Sequence, residues 1–335
     1  MGHVLMKGAA ATVAAVTTLS MSSAVASAAD VVQRLDVSLT ATGGVWDISG
    51  LNDLPYGQSV ALVLGSSGIP TPSETYVETA FNTYLAPSGL FGGDLSHVYA
   101  LTTPELGYDT SGVLPRDQAD IMAALVPLLQ SGHEVTLFGY SQSAAAINGA
   151  LNELYDTYGD DVTGRVNFVL VGNGGSPDGI MNMIYASLPS WAQDLLRSTA
   201  SLLSLDGGAL SFGPDEPSVY ITPDHFHGSV FTLQGFGGMS VPDGYASWSP
   251  TSFADGSWFP QLLGLFTSHE LYMGVSADDI YSALEGIDPN DTVHHIDLNP
   301  SEGFLTLLAA AGTNVGWIPE ALGDPLVDFF SSLGI

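Results

Sequence analysis

Residues 135–147 read VTLFGYSQSAAAI, and Ser141 at their centre has Gly139 and Ser143 two positions away on either side. A serine set between an apolar run and an alanine-rich run fits the strand–turn–helix elbow that presents an alcohol oxygen as a nucleophile. The flanking positions of such a turn must be small for helix and strand to pack closely. Gly139, Ser143 and Ala144 to Ala146 meet that need, although serine at the fifth position replaces the glycine of the general pattern. An alcohol is a weak nucleophile at neutral pH. It therefore requires an imidazole base, a carboxylate to orient that base, and N–H donors for a developing oxyanion.

The chain has eight histidines; His3 lies at the very start of the chain, within its first 28 residues, and His97 and His133 also precede the elbow. His225 and His227 sit in PDHFHG, His269 in SHELYMG, and His294 with His295 in DTVHHIDLN. Where an elbow of this type operates, the order along the chain is serine, then acid, then histidine. That order favours His269, His294 and His295 and leaves them level. For the acid, Asp178, Asp224 and Asp243 compete, and both Asp178 and Asp243 follow an apolar strand pattern, as a group in the same layer as the elbow must. The backbone N–H of Gln142 is the expected first oxyanion donor. The second is expected from the loop LGSSGIPTPS (64–73), where Ser66, Ser67 and Gly68 let the backbone approach a carbonyl closely. Neither DHFH nor HHID offers helical His spacing with a third ligand, so no metal is expected. No glycine-rich phosphate loop with lysine is present, and no cofactor is expected.

These residues need a frame, and the pattern around them alternates. SVALVLGSSG (59–68), SHVYALTTP (96–104), EVTLFG (134–139), RVNFVLVGNGG (165–175) and SVFTLQGF (229–236) read as strands. Helical spacing runs over 115–132, from Pro115 to Gly132, and over 143–159. The reading is an α/β fold with a doubly wound, mainly parallel sheet whose active groups lie at the strands' carboxyl ends. Residues 176–217 break the rhythm and carry many apolar side chains, which predicts a lid-like helical insertion.

Composition narrows the functional classes. The first 28 residues pair Lys7 with an alanine-rich apolar run and end Ala26-Ser27-Ala28, the pattern of a secretory signal peptide, leaving one domain over 29–335. All 35 acidic residues follow Ala28 and face only Arg34, Arg116, Arg165 and Arg197, a formal charge of −31. Such a field repels phosphate backbones, so no nucleic-acid partner is expected. With no cysteine, an exported fold has to rest on its core alone.

In order along the chain, GSSGIPTPS, FGYSQSA, PDGYASWSP, SHELYM and DTVHHIDLNPSEGFLTLL resemble blocks of the PE-PPE domain family. These are cutinase-like serine α/β-hydrolases of the actinobacterial envelope. The resemblance runs from about residue 57 to the end. It implies that Ser141 is the nucleophile, Asp243 the acid with Asp178 in reserve, and His269 the base, and that His294 and His295 are not catalytic. The chain departs from the family at Ser247, where a second Asp is usual, and at Gly237-Gly238-Met239, where a Tyr-Asp pair is common. A signal peptide is expected where the family has its PE or PPE module. Together these readings point to a secreted or envelope-associated esterase or lipase acting on acyl esters or lipids. Two rivals are an acyltransferase using the same triad on an envelope glycolipid and an inactive lipid-binding protein.

Overall fold

In the computed structural model, the described residues are 38–41, 44–47, 55–104, 113–180, 221–248 and 258–334. The expected leader, and the 176–217 insertion from residue 181 on, lie outside them. Short strands β1 (Ser38–Ala41) and β2 (Gly44–Asp47) are followed by β3 (Ser59–Val63), helix α1 (Glu74–Thr79) and β4 (Val98–Leu101). Next come α2 (Val113–Gln130), β5 (Glu134–Tyr140), α3 (Gln142–Tyr158), β6 (Val166–Val171) and β7 (His227–Leu233). The chain closes with α4 (Trp258–Phe266), α5 (Ala277–Leu284), β8 (Val293–Leu298), α6 (Phe304–Asn314) and α7 (Glu320–Leu333).

The sheet order is β8-β7-β6-β5-β3-β4-β1-β2. The six strands from β8 to β4 run parallel, and the β1–β2 hairpin is added antiparallel beside β4. Each strand read from the sequence is present: β3, β4 and β6 are shorter than read, β5 runs one residue longer, and β7 begins two residues earlier and ends three sooner. The hairpin and β8 are additions to that reading.

The central strands are apolar on both faces because helices cover both faces. Successive side chains alternate across a strand, and so Val60, Leu62, Val135, Leu137, Phe168 and Leu170 bury against α2 and α3. Their neighbours Ala61, Val63, Phe138, Val169, Val171 and Phe231 bury on the opposite face with Tyr76, Tyr84, Ile280 and Leu307. Parallel pairing also brings all the strands' carboxyl ends to one edge. Beyond the strands the ladder continues: Ser141 N–H donates to the Val171 carbonyl at 3.0 Å, Gly172 N–H to Phe231 at 3.2 Å, and Asp243 N–H to Leu233 at 2.7 Å. Three chain segments far apart in sequence are thereby fixed side by side.

Candidate active site

Ser141 joins β5 to α3 with φ 61° and ψ −115°, the one non-glycine residue of positive φ among the described residues. An L-residue held there is strained by about 1–3 kcal/mol, a cost that persists only where surrounding contacts over-determine the turn. Two such contacts are visible. Gly139 has no room for a side chain: a Cβ there would lie 2.6 Å from Ile147 Cδ1 and 2.9 Å from the Ala144 nitrogen. Ser143 Oγ accepts from Tyr140 N–H at 2.9 Å and donates back to the Tyr140 carbonyl at 3.1 Å. The serine that departs from the general pattern is thus a brace across the elbow.

The strained turn aims Ser141 Oγ at His269 Nε2, 2.7 Å away. On the far side of the ring, His269 Nδ1 lies 2.9 Å from Asp243 Oδ2. An ionised carboxylate only accepts, so Nδ1 carries the proton and Nε2 is left as the acceptor for the serine hydroxyl. Ser141 makes no side-chain cap for α3, whose first N–H groups, beginning with that of Gln142, have no partner within the helix. They supply the positive end of a 17-residue helix beside the serine oxygen.

Asp243 is completely buried, and its two oxygens are fully engaged. Oδ1 accepts from the N–H groups of Tyr245 at 2.8 Å and Ala246 at 3.4 Å, and Oδ2 accepts from the Tyr272 hydroxyl at 2.8 Å as well as from His269. A buried carboxylate is tolerated when it is hydrogen-bonded in this way. Tyr272 is itself held: its oxygen accepts from Leu233 N–H at 2.9 Å, and its carbonyl accepts from the Tyr84 hydroxyl. Burial first, then Asp243, pushes the Tyr272 phenol well above its ordinary pKa, which keeps it a donor.

The His269 ring sits among Tyr140, Tyr245 and Tyr272, with centroids 5.7, 4.8 and 6.3 Å away, and the Tyr140 hydroxyl donates to the His269 carbonyl. Burial pushes the imidazole pKa down. The charge and hydrogen bond of Asp243, joined by Glu270, push it up, and the result is a base above its ordinary value. Gly172, at φ 57°, leaves the space this ring fills: a Cβ would stand 3.1 Å from His269 Cε1 and 2.9 Å from Tyr272 Cε2. Tyr272 and Gly172 were not singled out from the sequence. The GNGG run after the β6 strand pattern was the one local signal for Gly172.

The remaining candidates are elsewhere. Asp178 has an exposed side chain, while its carbonyl accepts from Trp248 N–H and so ties its loop to the segment after Asp243. His97 lies beside Asp94, His133 is buried with Nδ1 3.2 Å from the Gln58 carbonyl, and His225 stacks on Tyr155 at 3.7 Å. His227 opens β7, and His294 and His295 lie on β8. Gly237-Gly238 forms the turn of a small ribbon, Gly235–Phe236 with Met239–Ser240. Ser66 is buried next to β3, whereas Ser67 is exposed and donates its hydroxyl proton to Gln142 Oε1 at 2.8 Å.

Comparison with known proteins agrees with the blocks read from the sequence. Residues 101–200 match the PE-PPE domain family. That window contains the elbow but ends before Asp243 and His269. Esterase PE16 of Mycobacterium tuberculosis is 26% identical over 287 residues, which cover 82% of this chain and 48% of that protein. PPE28, an uncharacterized PPE family protein of the same organism, is 33% identical over 132 residues, covering 36% of this chain and 19% of that one. The chain therefore spans about half the length of Esterase PE16 and less of PPE28. Among solved structures, a hyperthermophilic esterase from the archaeon Pyrobaculum calidifontis aligns over 92% of this chain and 90% of its own at 13% identity, with a TM-score of 0.37. A superposition that loose adds nothing to the sheet order described above.

Proposed function

We propose that this protein is a serine carboxylic-ester hydrolase that works through an acyl-enzyme. Ser141 attacks an ester carbonyl, His269 takes its proton and returns it to the leaving alcohol, and Asp243 orients the imidazole and stabilises its charged form. The N–H of Gln142, with the 64–68 turn opposite, faces the oxyanion. Water then attacks the acyl-enzyme, with His269 as base once more, and frees the acid. The observation that carries this reading is the continuous series from Ser141 Oγ through His269 to Asp243, at 2.7 and 2.9 Å, set on a strained elbow. The name of Esterase PE16 supports the same class of substrate.

Acyl esters, lipid esters among them, are the substrates this reading implies. Export, either free or in peripheral association with the envelope, is part of the proposal and is supported by the leader pattern of residues 1–28. The test is labelling of the protein from Ala29 onward with a fluorophosphonate, alongside hydrolysis of p-nitrophenyl esters of increasing chain length. A single adduct on Ser141, with turnover lost in Ser141→Ala, is expected. A folded protein that takes no label, or a Ser141→Ala variant that retains full turnover, overturns the assignment.

A further inference from the structure

Asp117 lies on the core-facing stripe of α2, in step with Leu114, Ile121, Ala124 and Leu128, and like Leu114 and Ile121 it is completely buried. A carboxylate at a position that helical periodicity assigns to an apolar residue is costly unless it is hydrogen-bonded. Its Oδ2 accepts from Gln142 Nε2 at 2.8 Å. Gln142 is the residue after the nucleophile, is itself fully buried, and uses the other end of its amide to accept from Ser67 Oγ.

The polarity of this chain is dictated from one end. Asp117 Oδ2 is the acceptor, so Gln142 turns its NH2 group toward it and its carbonyl toward Ser67. Ser67 must then spend its single hydroxyl proton on Gln142. Two consequences follow: the 65–68 turn is tethered to the first residue of α3, and the Ser67 hydroxyl proton is directed away from any oxyanion at Ser141.

We propose that Asp117 is a positioning residue which, through Gln142 and Ser67, fixes the turn after β3 against the N-terminus of α3 before substrate arrives. Oxyanion stabilisation then rests on backbone N–H groups whose separation this relay sets. The inference builds on the esterase reading, and it predicts a defect in the chemical step and not in binding. Misplacing a preorganised donor by a fraction of an ångström to 1 Å costs on the order of 10- to 100-fold.

The test compares Asp117→Leu, Asp117→Asn, Ser67→Ala and the Asp117→Leu/Ser67→Ala double variant in p-nitrophenyl ester hydrolysis and in thermal unfolding. Asp117→Leu is expected to lower kcat by roughly 10- to 100-fold with KM within about twofold. Asp117→Asn, whose amide oxygen can still accept from Gln142, is expected to recover most of that loss. The double variant is expected to be no slower than the slower single variant, because both changes cut one relay. Should Asp117→Leu fail to fold, Gln142→Met breaks the relay at its middle and should show the same kcat defect. An unchanged kcat, a defect confined to KM, or losses that multiply in the double variant would overturn the proposal. A wild-type protein that neither turns over ester nor labels at Ser141 sinks the esterase reading instead. In that case the melting shifts decide on the relay: shifts that add overturn it, and coupled shifts uphold it.

Discussion

Around Ser141 the backbone is the positioning device, whereas around Asp243 and His269 the same task falls to side chains from several elements. The elbow is set by one strained residue, a glycine with no room for Cβ and a serine that braces its own turn, all within five positions. The acid and base depend on Tyr272, Tyr140, Tyr245 and the space above Gly172, which come from four separate segments. A turn that stores strain resists small rearrangements, because every escape from it breaks packing between β5 and α3. A carboxylate held by four donors is instead robust to the loss of any one of them and sensitive to its own charge.

Removing that charge should have the largest effect. Asp243→Asn leaves the shape but destroys the acceptor that fixes the Nδ1–H tautomer, and kcat is expected to fall by roughly 10³- to 10⁴-fold. The pH profile sharpens the point. His269 must be neutral to accept the serine proton, and its pKa is raised above 6.5 by Asp243 and Glu270 against the opposing pull of burial. Activity should therefore fall as pH drops through a midpoint above 6.5. In the Asp243→Asn variant the raising influence of the carboxylate is gone, burial dominates, and the midpoint of the residual activity should move down. A residual limb that stays in place would mean that another group controls it.

Gly172→Ala comes next. It puts a Cβ into the His269 and Tyr272 rings and an L-side chain at φ 57°. A displaced imidazole should cost about 10- to 100-fold in kcat. The strained conformation should cost about 1–2 kcal/mol of stability, seen as a lower Tm. If turnover survives while Tm falls, the space above Gly172 serves packing alone.

Tyr272→Phe should be milder. Asp243 keeps three of its four donors, so a loss of roughly three- to tenfold in kcat is expected. The orphaned Leu233 N–H should lower stability by about 1–3 kcal/mol. A kcat loss as large as that of Asp243→Asn would show that the phenol, and not the backbone N–H groups, holds the Asp243 carboxylate in place against His269.

The same contrast explains what could be read before the fold was known. The elbow was legible because its requirements are local: small residues at fixed offsets between a strand pattern and a helix pattern. The parallel sheet was legible too, since strands covered on both faces must be apolar throughout. Among His269, His294 and His295, spacing gave no decision, and only the resemblance of SHELYM pointed to His269. The physical reason is that the choice is made by strand order. Asp243 continues the ladder beside β7 next to the loop after β6, whereas His294 and His295 sit within β8 at the sheet's edge. Tyr272 and Asp117 escaped notice for the same reason: their partners lie on other elements, and neither has a motif of its own.

Ser143 is the smallest and most local test. Ser143→Gly restores the general elbow pattern and removes both hydrogen bonds to Tyr140. If the elbow is held chiefly by packing between Gly139, Ile147 and Ala144, kcat should remain within about threefold. The lost hydroxyl, together with the added chain freedom of glycine, should then appear only as about 1 kcal/mol of stability, or a few degrees of Tm. If the brace is what holds Ser141 at positive φ, the serine relaxes and fluorophosphonate labelling slows by roughly tenfold or more in folded protein. Strain with a single support would then make the nucleophile as dependent on a side chain as Asp243 is.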